Sequence, residues 1–189
     1  MAHNDVEVEL KFPVDATTFA ALRQKLQQTA SFISTKQETD DYLTPAHRDF
    51  LKPEFPYEWL RVRNKEGKFI LNYKHFHPEN VKQTTHCDEF ETEVSKPEQL
   101  QKLLKSLDFR TLITVRKTRE TFRTEGFEFA LDTVDELGHF VEIEALKDFG
   151  GITVTRDKLF AAAREIGITT ESDLRGYPFI LMQKKGLRL

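Results

Sequence analysis

The sequence predicts an α+β fold, an eight-stranded antiparallel β-barrel closed on itself with helices packed outside. Three observations predict it. Short runs with strict apolar/polar alternation recur through the chain. Most are joined by connections of hairpin length, which favours an antiparallel order over βαβ units. Amphipathic stretches punctuate the strands without forming a crossover pattern. The 189 residues suit a single domain spanning 1–189.

The elements follow in order. Val6–Phe12 reads as a strand, with Val6, Val8, Leu10 and Phe12 on one face and Glu7, Glu9 and Lys11 on the other. Asp15 is placed to cap a helix whose apolar stripe is Phe19, Leu22 and Leu26. Ser31–Leu43 reads as a long strand, and Thr44–Pro56 as a proline-containing connection. Tyr57–Asn64 and Lys68–His75 form a hairpin around Lys65-Glu66-Gly67. His77–Thr85 is polar and reads as a mobile loop that could serve as a lid. Cys87–Val94 is a strand. Pro97 sits at a first helical position, ahead of Leu100, Leu103, Leu104 and Leu107. Leu112–Phe122, Phe127–Val134 and His139–Leu146 complete the strands. Thr155–Ile166 and Leu174–Lys184 read as helices, the second interrupted by Pro178.

Composition narrows the function. Charged residues make up 31% of the chain, yet sixteen phenylalanines supply a core. The net charge of −3 argues against a nucleic-acid partner. No stretch is long and apolar enough to span a membrane. The opening Met1–Asp5 lacks the marks of a secretory signal, and Cys87 stands alone, so the expected compartment is the cytoplasm. A homodimer is left open.

The charged faces sort by sign. Arg61 and Arg63, then Asn72 and Lys74, then Lys117 and Arg119 lie on basic faces; Glu7 and Glu9, Glu89 with Glu91 and Glu93, and Glu142 with Glu144 lie on acidic ones. Glu38, Asp40 and Tyr42 share a face, and Asp132 falls opposite Phe129 and Leu131. Two arrangements fit this pattern. One is an ordinary sheet with its charged face in water. The other is a barrel turned inside out, its charges lining a polar lumen. Sorting by sign favours the lumen, since such a lumen needs a polyanion for its bases and hard cations for its acids. A metal–triphosphate supplies both.

These residues resemble the CYTH family, also called triphosphate tunnel metalloenzymes. Glu7-Val8-Glu9-Leu10-Lys11 matches the family's Glu-x-Glu-x-Lys, and Leu60-Arg61-Val62-Arg63 its Leu-Arg-x-Arg strand. Lys74, Glu89-Phe90-Glu91-Thr92-Glu93, Arg116-Lys117-Thr118-Arg119, Leu131-Asp132 and Gly138 with Glu142-Ile143-Glu144 follow in the family's order. Asp40-Asp41-Tyr42-Leu43, Arg48-Asp49-Phe50-Leu51 and Thr114-Val115-Arg116-Lys117 look most like the class IV adenylate cyclase branch.

The resemblance implies Mg²⁺ or Mn²⁺ held by Glu7, Glu9, Glu142 and Glu144, with Asp132 and one of Glu89 or Glu91 assisting. It implies a triphosphate clamp of Lys11, Arg61, Arg63, Lys74, Lys117 and Arg119, with Lys11 and Arg119 as catalytic residues. The implied reaction converts ATP to cyclic AMP and pyrophosphate. The alternative is hydrolysis of a triphosphate, whether inorganic, nucleoside or thiamine triphosphate. A module that binds polyphosphate without turnover is a third reading, disfavoured because anion binding needs no row of carboxylates. The chain lacks a His-Phe pair ahead of Glu7 (His3 is out of register), and Gly176-Tyr177-Pro178 replaces a Ser-Tyr pattern. Both departures bear on cyclisation, not on triphosphate binding.

Other residues carry weaker signals. His75, His77 and His86 have irregular spacing for zinc and read as surface histidines. Cys87 reads as a small packed residue rather than a nucleophile. Trp59 shares the face of Arg61, where it could stack on a base or simply pack.

Overall fold

The computed structural model describes residues 5–187. The first residues of the chain, read above for a secretory signal and for the register of His3, lie outside that range. Nine strands form one antiparallel sheet in the order β1-β6-β5-β4-β3-β7-β8-β9-β2. They are β1 (Val6–Glu7), β2 (Glu9–Val14), β3 (Ser31–Pro45), β4 (Glu58–Lys65), β5 (Lys68–His77), β6 (His86–Val94), β7 (Phe109–Arg123), β8 (Phe127–Val134) and β9 (Gly138–Ala145). Four helices accompany them: α1 (Ala16–Thr29), α2 (Pro97–Ser106), α3 (Ile152–Ile166) and α4 (Tyr177–Lys184).

The ninth strand comes from a break in the predicted first one. Val6 and Glu7 pair with Asp88 and Cys87 on β6, whereas Glu9 onward pairs with Glu144 and its successors on β9. Val8 lies at the changeover and accepts from the Ala145 amide at 3.1 Å. One segment thus serves two neighbours in turn. Because β1 and β2 are the two ends of the strand order, this changeover brings the sheet round into a nearly closed barrel. Closure removes the unpaired edges an open sheet would present.

Local signals explain most element boundaries. Asp15 Oδ1 accepts from the Thr18 amide at 2.7 Å and caps α1. Glu66 and Gly67 both take positive φ in the β4–β5 turn, where Asn64 Oδ1 accepts from the Gly67 amide. Three boundaries differ from the prediction by three residues, and the others by at most two. β7 starts at Phe109 rather than Leu112, because its first residues pair with the end of β3. α3 starts at Ile152. α4 starts at Tyr177 rather than Leu174, with Pro178 in its first turn, where a missing N–H costs nothing.

The main core lies outside the barrel wall. Leu10, Phe12, Phe122, Leu131, Val141 and Ile143 turn outward and pack against Phe19, Leu22 and Leu26 of α1 and Leu159, Ala163 and Ile166 of α3. Each fully buried side chain of this kind is worth about 1.5–3 kcal/mol. Alternation then sends the charged residues of the same strands into the lumen. The inside-out arrangement follows from which face the helices cover. A second cluster joins Tyr177, Phe179, Leu181 and Met182 of the last helix to Tyr42, Trp59, Ile113, Val115, Val134 and Phe140. These strand residues share the lumen-facing parity, so α4 stoppers one end of the barrel. Among the described residues no helix is long and apolar enough to cross a membrane.

Candidate active site

The lumen holds a cavity that, counted with its mouth open to solvent, spans about 790 Å³. Lys11, Arg61, Arg63, Lys74, Lys117 and Arg119 line it, together with Glu7, Glu9, Glu128, Glu142 and Glu144. All six predicted clamp residues are therefore brought together, although they come from four strands separated by more than a hundred residues of chain. Opposite charges meet there in reduced dielectric, where each interaction is stronger than in water.

The basic side chains are braced from behind. Arg63 makes a two-pronged contact with Asp40, with Nε–Oδ1 and Nη2–Oδ2 both 2.7 Å. Arg61 lies 3.5 Å from Asp40 and donates to the Tyr42 hydroxyl at 3.3 Å. Glu38 sits 3.1 Å from Lys65, 3.3 Å from Arg63 and 3.5 Å from Lys117. Asp132, fully buried, receives Lys117 at 3.0 Å and Arg119 through Nε at 2.7 Å. Burial alone would raise the carboxyl of Glu38, but Lys117, Arg63, Arg119 and Lys65 outweigh it and hold it at about 2. Asp40 is likewise driven well below the usual carboxylate range by Arg63 and Arg61, against its burial.

The acidic side is less well neutralised. Lys74 contacts Glu7 and lies 3.6 Å from Glu89 and 3.9 Å from Glu9. Burial raises Glu7 well above the carboxylate range, and the charges of Glu9, Glu89 and Glu144 add to it. Glu144 is pushed to about 7 by burial, then by Glu9, Glu128 and Glu89. Glu142 goes the other way: Arg119, Lys117 and Lys11 overcome its burial and keep it ionised. Lys11 and Lys117 are lowered, chiefly because they are buried.

Each predicted metal-site residue has a definite place. Glu7, Glu9, Glu142 and Glu144 face the cavity, and Glu89 reaches Lys74 and the Asn72 amide from its edge. Glu91 follows Glu89 on the same face of β6 but is solvent-exposed and does not line the cavity. Asp132 is on the lumen face of β8, fully buried beneath the bases and occupied by Lys117, Arg119 and the Tyr177 hydroxyl. Among the described residues no three acidic, imidazole or thiol groups already stand at ligating distance. The donor set still suits a hard divalent cation. It is all carboxylate oxygen, and beyond the burial that raises Glu7 and Glu144, neighbouring carboxylates crowd each of them.

The sequence reading passed over Glu128, although it alternates with Ala130 and Asp132 and stands opposite Glu144 on β9. It took Tyr177 only as a departure from a pattern, yet Tyr177 lines the cavity. His75, His77 and His86 stack in a ladder with ring centroids 4.7 and 4.9 Å apart. Cys87 is buried, its thiol donating to Glu7 at 3.1 Å. Trp59 lines the cavity and meets Tyr42 edge-on at 5.8 Å.

Comparison with known proteins agrees with this architecture. The family model described as CYTH domain matches residues 5–177. A Methanocaldococcus jannaschii protein named "Putative adenylate cyclase" is 26% identical over 171 residues, covering 90% of this chain and 94% of that one. A Pyrococcus horikoshii protein of known structure superposes with a TM-score of 0.79 at 32% identity, covering 94% of this chain and 99% of that chain. A Hippeastrum protein, titled as an adenylyl cyclase that "reveals a dominant triphophatase activity", shares the fold with a TM-score of 0.63 at 19% identity, over 97% of each chain. Members of the family are adenylate cyclase-like enzymes or triphosphatases, and its tunnel proteins are generally metal-dependent. The chain belongs to the CYTH domain family.

Proposed function

We propose that this protein is a Mg²⁺- or Mn²⁺-dependent enzyme acting on a triphosphate within the lumen, and that it converts ATP to cyclic AMP and pyrophosphate. The observation that carries this reading is the facing of two charge sectors across one cavity: Arg61, Arg63, Lys117 and Arg119 on one side, Glu7, Glu9 and Glu144 on the other. The bases would bind the phosphate oxygens, the arginines through their forked guanidinium groups and the lysines as point charges. Glu7, Glu9, Glu142 and Glu144, with Glu89 at the edge, would hold the cation. A bound divalent cation would supply charge neutralisation on the phosphate chain and a template for in-line attack. Arg119 and Lys11 flank Glu142, so they are placed to stabilise charge growing on the phosphorus oxygens as the ribose 3′-oxygen attacks and pyrophosphate departs. Asp40, Glu38 and Asp132 fix the bases from behind, so little reorganisation is needed at the moment of reaction.

The cavity also has an annex. Trp59, Phe76, Leu174 and Gly176 line both it and a neighbouring hollow of about 350 Å³ walled by Phe55, Pro56, Val81 and Phe179. A hollow with aromatic walls beside the phosphate clamp, lined also by Lys82, Thr84 and Arg175, supports an organic triphosphate over inorganic triphosphate. The second reading is hydrolysis of the triphosphate tail. The departure at Gly176-Tyr177-Pro178 favours it, as does the activity in the Hippeastrum protein's title.

A substrate panel tests the proposal. ATP, GTP, inorganic triphosphate and thiamine triphosphate would each be incubated with the protein and Mg²⁺ or Mn²⁺. Turnover of ATP alone supports cyclisation. Turnover of all four supports hydrolysis, and turnover of none under either metal removes both.

A further inference from the structure

Tyr177 opens the last helix and is only 5% exposed. Its hydroxyl donates to Asp132 Oδ2 at 2.9 Å, and its ring meets Phe140 edge-on at 5.0 Å. Two ammonium groups share that ring. Lys11 Nζ lies 4.6 Å from the ring centroid and Lys117 Nζ lies 5.2 Å from it. Both lysines are 5% exposed. Lys11 also donates to the carbonyl of Arg175, two residues before Tyr177.

Two lysines buried this deeply repel each other and lose their hydration, so something must hold them in place. Carboxylates do part of this, since Lys117 lies 3.0 Å from Asp132 and 3.5 Å from Glu38, but the Tyr177 ring meets both ammonium groups at once. An aromatic ring attracts cations through its quadrupole, more strongly when water is excluded, and carries no formal charge. It holds the ammonium groups and leaves them positive. The hydroxyl bond to Asp132 and the edge contact with Phe140 fix the plane of the ring. The same Asp132 oxygen also receives Lys117 at 3.0 Å, so ring, lysine and carboxylate form one locked unit.

We propose that Tyr177 is a positioning residue of the phosphate clamp, presenting Lys11 and Lys117 to the substrate with their positive charge intact. The proposal rests on the triphosphate reading above. It gives the C-terminal helix a part in the site besides closing the barrel end. Tyr177 acts through the two lysines rather than on the reacting atoms.

Calorimetric titration of the full chain with inorganic triphosphate in Mg²⁺ tests it, with thermal unfolding measured alongside. Tyr177→Phe keeps the ring and should bind within about 3-fold of the parent. Tyr177→Leu loses the ring and should bind at least ~10-fold more weakly, the scale of a desolvated cation–ring contact. Tyr177→Met is the second ringless variant, should Leu not fold. Lys117→Met supplies a double-mutant cycle: if the ring works through the lysine, the combined loss with Tyr177→Leu falls short of the product of the single losses. A ringless variant that melts earlier but binds as tightly as the parent would make Tyr177 a packing residue and overturn the proposal, as would losses that simply multiply. No binding by the parent protein would instead overturn the triphosphate reading itself, and this role with it.

Discussion

Arg63 and Asp40 stand directly opposite each other in the β3–β4 register and are joined by two parallel contacts of 2.7 Å. Asp40 is 1% exposed, so this fork is held in a nearly dry place. The clamp's central arginine is therefore aimed before any substrate arrives. Removing Asp40 leaves Arg63 buried with Glu38 alone, 3.3 Å away and already shared with Lys65 and Lys117. Asp40→Ala should destabilise the protein by roughly 3–5 kcal/mol. Urea unfolding measures it, and a loss near zero would mean that Arg63 finds another partner.

The clamp itself should show in the kinetics. Arg63→Ala and Lys74→Ala are each expected to lower kcat/KM by at least ~10–100-fold, the scale of a lost charge-assisted contact in a confined site. Lys102, exposed on α2, should tolerate alanine without change. Equal small effects at all three positions would remove the lumen from the chemistry.

Charge balance makes triphosphate binding depend on the divalent cation. Glu38, Asp40, Asp132 and Glu142 are each matched by bases, whereas Glu7, Glu9, Glu89 and Glu144 crowd around Lys74, with Glu7 and Glu144 held toward the neutral form. A divalent cation would ionise these acids and add positive charge beside the polyanion, which entering alone meets only their unmatched oxygens. Calorimetric titration with inorganic triphosphate should show binding in Mg²⁺ and a loss of at least ~100-fold in a chelator. Equal affinity in both conditions would refute this reading of the acids.

The two faces of each strand are legible in the sequence because a strand's period of two is unambiguous where one face is apolar, whereas the inward turn of the charged face is legible only from its sorting by sign. Residues on facing strands could be assigned to sides without knowing which strands face. Depth and neighbours were not legible. Glu89 and Glu91 look alike in sequence, yet Glu89 meets Lys74 while Glu91 stands in solvent one step farther along β6. Asp132 looks like another acid of the metal set, but β8 lies beside β7, which gives it to Lys117 and Arg119. The changeover at Val8 was invisible for the same reason. It depends on two neighbours far away in the chain.

Acid stability should carry the signature of Glu38. Its carboxyl is held at about 2 in the folded protein, below the ordinary carboxylate value of 4.5. The ionised form therefore favours the fold. The stabilisation is fully present above about pH 4.5 and is lost as the pH falls toward 2, by an amount on the order of 3 kcal/mol. Glu38→Gln should be less stable near neutral pH and should show a shallower loss of stability across that acid window than the parent. Parallel stability curves for parent and variant would show that folding does not lower the Glu38 carboxyl.

The most direct measurement is chromatography of the products formed from ATP with Mg²⁺ or Mn²⁺, repeated with Glu144→Gln and Arg63→Ala. The account predicts metal-dependent formation of cyclic AMP with pyrophosphate, abolished in both variants. ADP with orthophosphate, equally abolished, would keep the metal–triphosphate lumen and replace cyclisation by hydrolysis. Unchanged turnover in both variants, or no turnover of any triphosphate under either metal, would contradict the claim that this lumen is a catalytic site.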